Sequence, residues 1–187
     1  PADGRHLGFK DISQIDGFFI KGQKFNIHKL IADKGLSKKY THGTLVLSRL
    51  CPVDYHRFHF PVSGTASSSR LINGPLFSVS PIALSQNLSY LWENKRSLTE
   101  INTPDMGKVL AIEIGATCVG SIMQTYQANH TVSKGDEKGY FAFGGSSTIT
   151  LFEPGAVDLS EDLLKNSQQQ IETYALMGDA MGSITTT

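Results

Sequence analysis

Short apolar runs, each closed by a turn signal, constrain the fold of this chain more than any other feature. "GTLVLSRL" (43–50) and "KVLAIEIG" (108–115) carry the apolar, β-branched composition of buried or half-buried strands. "PVSGTA", "INGPLFSV" and "NTPDMGKV" read as Gly/Pro/Asn turns between further strands. "FFIKGQKFNI" reads as a hairpin around Lys21 and Gly22, and "HTVSKGDEKGYFAF" as a strand, a Lys-Gly-Asp turn and a second strand. Helices are few. "NIHKLIAD" places Ile27, Leu30 and Ile31 on one side of a short helix. "LSEDLLKNSQQQ" offers Ser160 as an N-cap with two acids in the first turn. The expected class is α+β, mostly β: many short strands in a barrel- or sandwich-like core. With 187 residues and no linker, repeat or low-complexity tract, one domain over 1–187 is the economical division.

Composition removes several function classes. Seventeen basic residues balance seventeen acidic ones, so no basic field argues for nucleic acid. Cys51 and Cys118 are far apart and form neither CxxC nor zinc spacing; two reduced, buried thiols are expected. The six histidines include no HExxH, and no metal is expected. No apolar run approaches the roughly 20 residues that span a bilayer, and no signal peptide is expected within these residues. The chain opens at Pro1 with "PADGR", which reads as the interior of a longer protein with a segment upstream.

Two constellations carry chemistry. "CPVDYHRFHFPVSG" gathers Asp54, His56, Arg57 and His59. On a regular strand His56 and His59 face opposite sides, so only a turn or bulge brings both imidazoles to one site. "GYFAFGGSSTITLF" sets Gly144 and Gly145 before Ser146 and Ser147. A glycine turn explains this arrangement, and so does self-processing. Ser146 Oγ can attack the Gly145 carbonyl, which no Cβ shields, while a histidine takes the proton. β-Elimination of the resulting ester leaves dehydroalanine at position 146, and hydrolysis gives a pyruvoyl group.

Taken together and in order, "PADG", "DYHRFHFPVSG", "RLINGPLFSVSPIAL", "ENKR", "EIGATCVGSI" and "KGDEKGYFAFGGSSTITLF" resemble the phosphatidylserine decarboxylase family from Pro1 to about Gly182. The Gly-Gly-Ser form resembles the type II branch, where other members have Leu-Gly-Ser-Thr. Ser147 stands where many members carry threonine. The resemblance implies a proenzyme that cuts itself between Gly145 and Ser146 into a β chain (1–145) and an α chain (146–187) headed by the pyruvoyl cofactor. It implies an Asp3–His59–Ser146 arrangement for the cut, in which the carboxylate orients the imidazole that deprotonates the hydroxyl. It implies a part for His56 in decarboxylation and places Asp54 at an acidic position beside it. Which histidine serves which step stays open.

The implied reaction converts phosphatidylserine to phosphatidylethanolamine and carbon dioxide through a Schiff base, with the pyruvoyl amide as electron sink. Asn94, Lys95 and Arg96 of "ENKR" are candidates for the headgroup phosphate, Asn94 and Arg96 foremost. Leu76, Phe77 and Trp92 are candidates for the bilayer interface. The implied setting is a peripheral membrane enzyme on the cytoplasmic face of a bacterial membrane, or on an organellar membrane in a eukaryote. The β and α chains would stay associated, and a homodimer is expected. Two alternatives stand beside this: a pyruvoyl decarboxylase of a free aromatic amino acid, and a non-catalytic module like a biotinyl or lipoyl carrier, suggested by "VSKGDEKGYF".

Overall fold

The structure is a computed structural model that describes residues 1–16, 18–117, 120–142 and 146–185. In chain order it comprises β1 (Gly4–Phe9), a 3-10 turn (Ile12–Ile15), α1 (Ile27–Ile31), α2 (Lys34–Lys38), β2 (Thr44–Leu50), β3 (Arg57–His59), β4 (Gly64–Ala66) and β5 (Arg70–Ile72). Next come α3 (Pro81–Leu84), α4 (Tyr90–Glu93), β6 (Arg96–Asn102), β7 (Lys108–Ile114), β8 (Ser121–Gln124), β9 (His130–Val132) and β10 (Glu137–Ala142). The chain ends with β11 (Ser146–Phe152), β12 (Val157–Leu159), α5 (Glu161–Gln168), β13 (Thr173–Ala175) and β14 (Gly182–Ile184). Mostly β with few, short helices, the architecture matches the class expected from the strand-dense patterning. No helix among the described residues is long and apolar enough to cross a membrane.

One large antiparallel sheet runs in the order β13-β1-β2-β11-β7-β6-β4-β9, with β5 also paired to β6. Side chains alternate between its faces. Leu45 and Leu47 of β2, Leu110 and Ile112 of β7, and Ile149 and Leu151 of β11 form one apolar face. The short helices cover it through Leu30, Ile31, Leu84 and Leu91, joined by Leu88 from the connection between α3 and α4. The other face mixes apolar side chains such as Val46, Ala111 and Phe152 with a polar row. In direct register across six strands stand Thr173, His6, Ser48, Thr148, Glu113 and Ser97.

A second, three-stranded sheet, β3-β10-β8, packs on the polar-row face. Its anchor is Lys138, whose Nζ donates to Glu113 at 2.9 Å and to Gln124 at 2.8 Å, with both charged side chains almost fully buried. The register of β10 against β3 shifts between Glu137 and Gly139, a bulge that turns Lys138 inward. At Gly139 a Cβ would stand 2.0 Å from the Met123 carbonyl oxygen, so only glycine lets β8 and β10 close there.

Two local expectations need correction. The stretch 18–25 forms turns, not a hairpin: Asp16 Oδ1 accepts from the Phe25 main-chain N–H at 2.7 Å, and Asn26 then caps α1 by accepting from Lys29 N–H. The buried residues of α1 are Ile27, Leu30 and Ile31, as the spacing requires. Trp92 is no surface anchor. It is 7% exposed, packs its ring edge-on to Phe25 and belongs to the main core. Helix α5 begins after Ser160 as expected, although the Ser160 side chain makes no capping hydrogen bond.

Candidate active site

Ser146 is the first residue of β11, the strand held between β2 and β7 at the centre of the large sheet. It is fully buried, pairs with Leu50 of β2, and its Oγ has no hydrogen-bond partner among the described residues. The buried side-chain polar atoms without partners among the described residues are His6 Nε2, Ser146 Oγ, Ser147 Oγ and Thr148 Oγ1. Three of these four lie on consecutive residues at the start of β11. The fourth lies on the polar row that Thr148 joins. Ser146 lines a cavity of about 220 Å³ together with Arg49, Leu50, Cys51, Pro52, Val79 and Ala116, among others. Gly145 lies outside the described residues, as does Cys118.

A small apolar cluster gathers the other expected residues. Ala2, Leu50, Phe58 and Phe141 pack together. Asp3 follows Ala2, His59 follows Phe58, and Ser146 faces Leu50, so three distant segments converge on one spot. The side chains themselves are not in contact as a triad. His59 Nδ1–H donates to the Gly135 carbonyl at 2.9 Å, and its Nε2 faces the Tyr55 hydroxyl at 3.4 Å, the two rings stacked. Asp3 Oδ1 accepts from Met177 N–H at 2.7 Å. The nearest tie between these segments is main-chain: His59 N–H donates to the Pro1 carbonyl at 2.7 Å. His59 also lines a second, largely apolar cavity of about 320 Å³ with Phe60, Val62, Met106, Phe152 and Met181.

His56 stands nearer to the segment that precedes Ser146. Its carbonyl accepts from Phe141 N–H at 2.9 Å, five residues before Ser146 in sequence, and its Nδ1–H donates to the Asp54 carbonyl at 2.6 Å. His59 lies opposite Glu137 at the far end of β10. The two histidines therefore bracket β10, which resolves the alternation problem posed by their spacing: only His59 is within β3, and His56 sits in the loop before it.

Asp54 closes that loop. Its carboxylate accepts from Cys51 N–H at 2.7 Å and from Arg5 at 3.1 Å. Asn94 and Arg96 are buried and committed to the fold. Asn94 Nδ2 donates to the carbonyls of Phe77 and Gly115, and its Oδ1 accepts from Phe77 N–H. Arg96 donates to the carbonyls of Leu30, Lys29 and Asn94, and burial together with nearby Arg70 pushes its guanidinium down to about 10. Lys95 donates to the Gly120 carbonyl at 2.6 Å. Sequence reading missed Arg49 and gave Cys51 no place at the site. Arg49 ion-pairs with Glu172, which raises its pKa, and donates to Cys51 Sγ at 2.8 Å on the wall of the Ser146 cavity. An arginine two residues before a cysteine carries no motif, so only their place on the cavity wall reveals them; Cys51 is half-buried there, not buried as its thiol was expected to be.

The phosphatidylserine decarboxylase family model matches residues 1–183. Among curated relatives, the phosphatidylserine decarboxylase proenzyme of Chlamydia pneumoniae is 49% identical over 182 residues, covering 97% of this chain and 60% of that protein. The proenzyme of Chlamydia caviae is 50% identical over 97% of this chain and 61% of its own length. That of Fusobacterium nucleatum is 46% identical over 98% of this chain and 61% of its own length. This chain thus spans about three fifths of the length of these relatives. A family match over nearly every residue, joined to a buried serine without a partner among the described residues at the head of the central strand, assigns the chain to the phosphatidylserine decarboxylase family.

Proposed function

We propose that the chain acts as a pyruvoyl-dependent phosphatidylserine decarboxylase whose electrophile is made from its own residue 146. The observation that carries this reading is the Ser146 hydroxyl, buried on a cavity wall without a partner among the described residues. Burying an unpaired hydroxyl costs about 1–3 kcal/mol. Ser147 and Thr148 bear a similar cost, but of the three β11 hydroxyls only that of Ser146 belongs to a residue lining the cavity. The site therefore fits a group generated in place.

In the uncut chain, Ser146 Oγ attacks the Gly145 carbonyl carbon. The new C–O bond forms, the C–N bond to residue 146 breaks, and the hydroxyl proton ends on the freed nitrogen. Removal of the Cα proton at 146 then expels the Gly145 carboxylate and leaves dehydroalanine, whose hydrolysis releases ammonia. His59 is suited to act as base. Its Nδ1–H is committed to Gly135, so the neutral ring carries its lone pair on Nε2. The Gly135 carbonyl orients the ring here; Asp3, whose segment bonds His59 through the Pro1 carbonyl, is proposed to assist in the uncut chain once its carboxylate leaves Met177 N–H.

When formed, the pyruvoyl group supplies a ketone that captures a serine-headgroup amine and takes up the electron pair left by departing carbon dioxide. Leu50, Pro52, Val79 and Ala116 give residue 146 apolar walls, which favour loss of a carboxylate as a neutral gas. His56, beside Phe141, is proposed to deliver the proton that replaces it. Asp54 holds the loop that carries His56. The β chain (1–145) and α chain (146–187) form the working unit, peripheral to the membrane that holds the lipid.

Intact-mass analysis with a turnover assay tests the whole reading. The parent chain should give two fragments divided after Gly145, the smaller without a free amino group, and should release carbon dioxide from phosphatidylserine but not from free tryptophan. Ser146→Ala should stay one polypeptide without turnover. A parent that remains uncut, or a Ser146→Ala variant that keeps turnover, sinks the proposal.

A further inference from the structure

Asn94 and Arg96 of "ENKR" are spent on main-chain carbonyls, so the phosphate of a phosphatidylserine headgroup needs another partner in the site. The wall of the Ser146 cavity offers one. Among its described lining residues Arg49 alone is charged, and no carboxylate lines the cavity with it. Its counter-ion Glu172 takes one edge of the guanidinium: Nε donates to Oε1 at 2.8 Å and Nη2 donates to Oε2. That fork fixes the plane of the group, whose side chain is only 16% exposed. Nη1 is turned to Cys51, itself a lining residue, and donates to its Sγ at 2.8 Å. Arg5 Nη1 reaches the same sulfur at 3.2 Å while also serving Asp54. A thiol sulfur is a weak acceptor. Two guanidinium groups converging on it are underused donors, and a phosphate oxygen would accept the same hydrogens far more strongly. One further N–H on Nη1 and one on Nη2 of Arg49 have no acceptor among the described residues.

The spacing fits the substrate. Residue 146 pairs with Leu50, the chain neighbour of Arg49. In phosphatidylserine two carbons and one oxygen separate the amine from the phosphorus. An amine held at residue 146 therefore keeps its phosphate within reach of a long side chain on the next residue of β2. The departing carboxylate is better served elsewhere. A guanidinium would hold its negative charge in place, whereas the apolar walls of Leu50, Pro52, Val79 and Ala116 would not. The phosphate keeps its charge throughout, so a fixed cation suits it. Ser78 and Ser80 on the same wall accept the main-chain N–H groups of Ser80 and Ala83, which leaves their hydroxyl hydrogens to donate. We propose that Arg49 binds the headgroup phosphate, held in position by Glu172 and released from Cys51 as the phosphodiester enters, and so selects phospholipid over free amino acid. The assignment rests on the decarboxylase reading, but phosphodiester binding is measurable without turnover.

The probe is glycerophosphoglycerol, a phosphodiester without amine, carboxylate or acyl chains, titrated calorimetrically into the purified full chain. It cannot react at residue 146, so a failed decarboxylase reading leaves the measurement intact. The parent should bind it and should not bind glycerol. Arg49→Gln should weaken binding by about tenfold or more, the scale of one charge-assisted hydrogen bond. Glu172→Gln should bind no more weakly than the parent, because the amide oxygen still holds the guanidinium while the charge that opposes phosphate is gone. A merely structural pair predicts equal damage from both substitutions, so Glu172→Gln decides the matter even if Arg49→Gln does not fold. With monomeric short-chain phosphatidylserine, Arg49→Gln should raise KM by a similar factor and change kcat by less than about twofold. Inorganic phosphate tests the other source of the anion. The proposal is overturned if inorganic phosphate binds and the diester does not, which would make this a site for a free anion. It is also overturned if the parent does not bind the diester, if Arg49→Gln binds it as the parent does, or if Glu172→Gln loses as much as Arg49→Gln.

Discussion

His6 shows how far burial governs single residues in this fold. It sits on the polar row beside Ser48, with Nδ1 2.8 Å from Ser48 Oγ. Burial pushes its pKa from the ordinary 6.5 down to about 4, and the nearby Ala175 carbonyl offsets only part of that. Above pH 6.5 the ring is neutral in both folded and unfolded chains and contributes nothing to pH dependence. Below it, the unfolded chain takes up a proton that the folded chain refuses, so stability falls as pH drops from 6.5 towards 4. The loss approaches about 3 kcal/mol at the lower end. Denaturant titrations at several pH values should therefore find His6→Gln less acid-sensitive than the parent across this window; parallel curves would contradict the assignment. The histidine pair separates by a different measurement. His59→Ala should stay uncut, whereas His56→Ala should cut normally and lose turnover by at least about a hundredfold, the usual scale for a lost proton donor. Cutting by both variants at the parent's rate would remove His59 from the first step. At this scale the sequence draws attention to Ser146 and both histidines, the residues proposed for the two steps, because their motifs carry them together. Asn94 and Arg96 were legible only as polar residues. Nothing in "ENKR" tells that five backbone carbonyls absorb their donors, because four of them belong to the distant residues 29, 30, 77 and 115 and only one to Asn94 itself.

Among the elements, β10 matters most, because it ends at Ala142 and leads towards Ser146. Its hold on the large sheet is the ion pair of Lys138 with Glu113, enclosed by the rings of Phe58, Phe60 and Tyr126. Burial pushes the Lys138 ammonium down while Glu113 draws it back up. Removing one partner strands the other charge in the interior. Lys138→Met should therefore cost about 3–5 kcal/mol, and Lys138→Met combined with Glu113→Leu should recover most of that. A double variant as unstable as the single one would show that the pair contributes more than mutual compensation. The strand itself was legible from "KGDEKGYFAF", but its inward lysine was not: alternation places charges outside, and only the bulge reverses it. The failed hairpin at 18–25 has a similar cause. A Lys-Gly turn signal is local, whereas Asp16 takes the Phe25 N–H that a strand ladder would have used.

At the scale of the whole molecule, short strands and their turns follow from local composition, but strand order does not. β11 lies between β2 and β7, elements about a hundred and about forty residues away in sequence, and no periodicity within β11 specifies either neighbour. That order has a direct consequence for a cut after residue 145. The segment 146–185 is tied to the rest by the ladders of β11 with β2 and β7 and of β13 with β1. The Arg49–Glu172 ion pair, the bond from Gly8 N–H to Ser167 Oγ and the bond from Met177 N–H to Asp3 join it further. Ile149 and Leu151 of the same strand are fully buried in the main core. Cutting one peptide bond at the head of β11 removes none of these contacts. It relieves a single chain connection whose closure entropy is small beside the buried apolar area. The two fragments should therefore co-elute as one species in native size exclusion and separate only in denaturant. The cut protein should unfold in one transition near the midpoint of uncut Ser146→Ala. Native separation of the fragments, or an early transition confined to the smaller one, would mean that β11 is not the central strand.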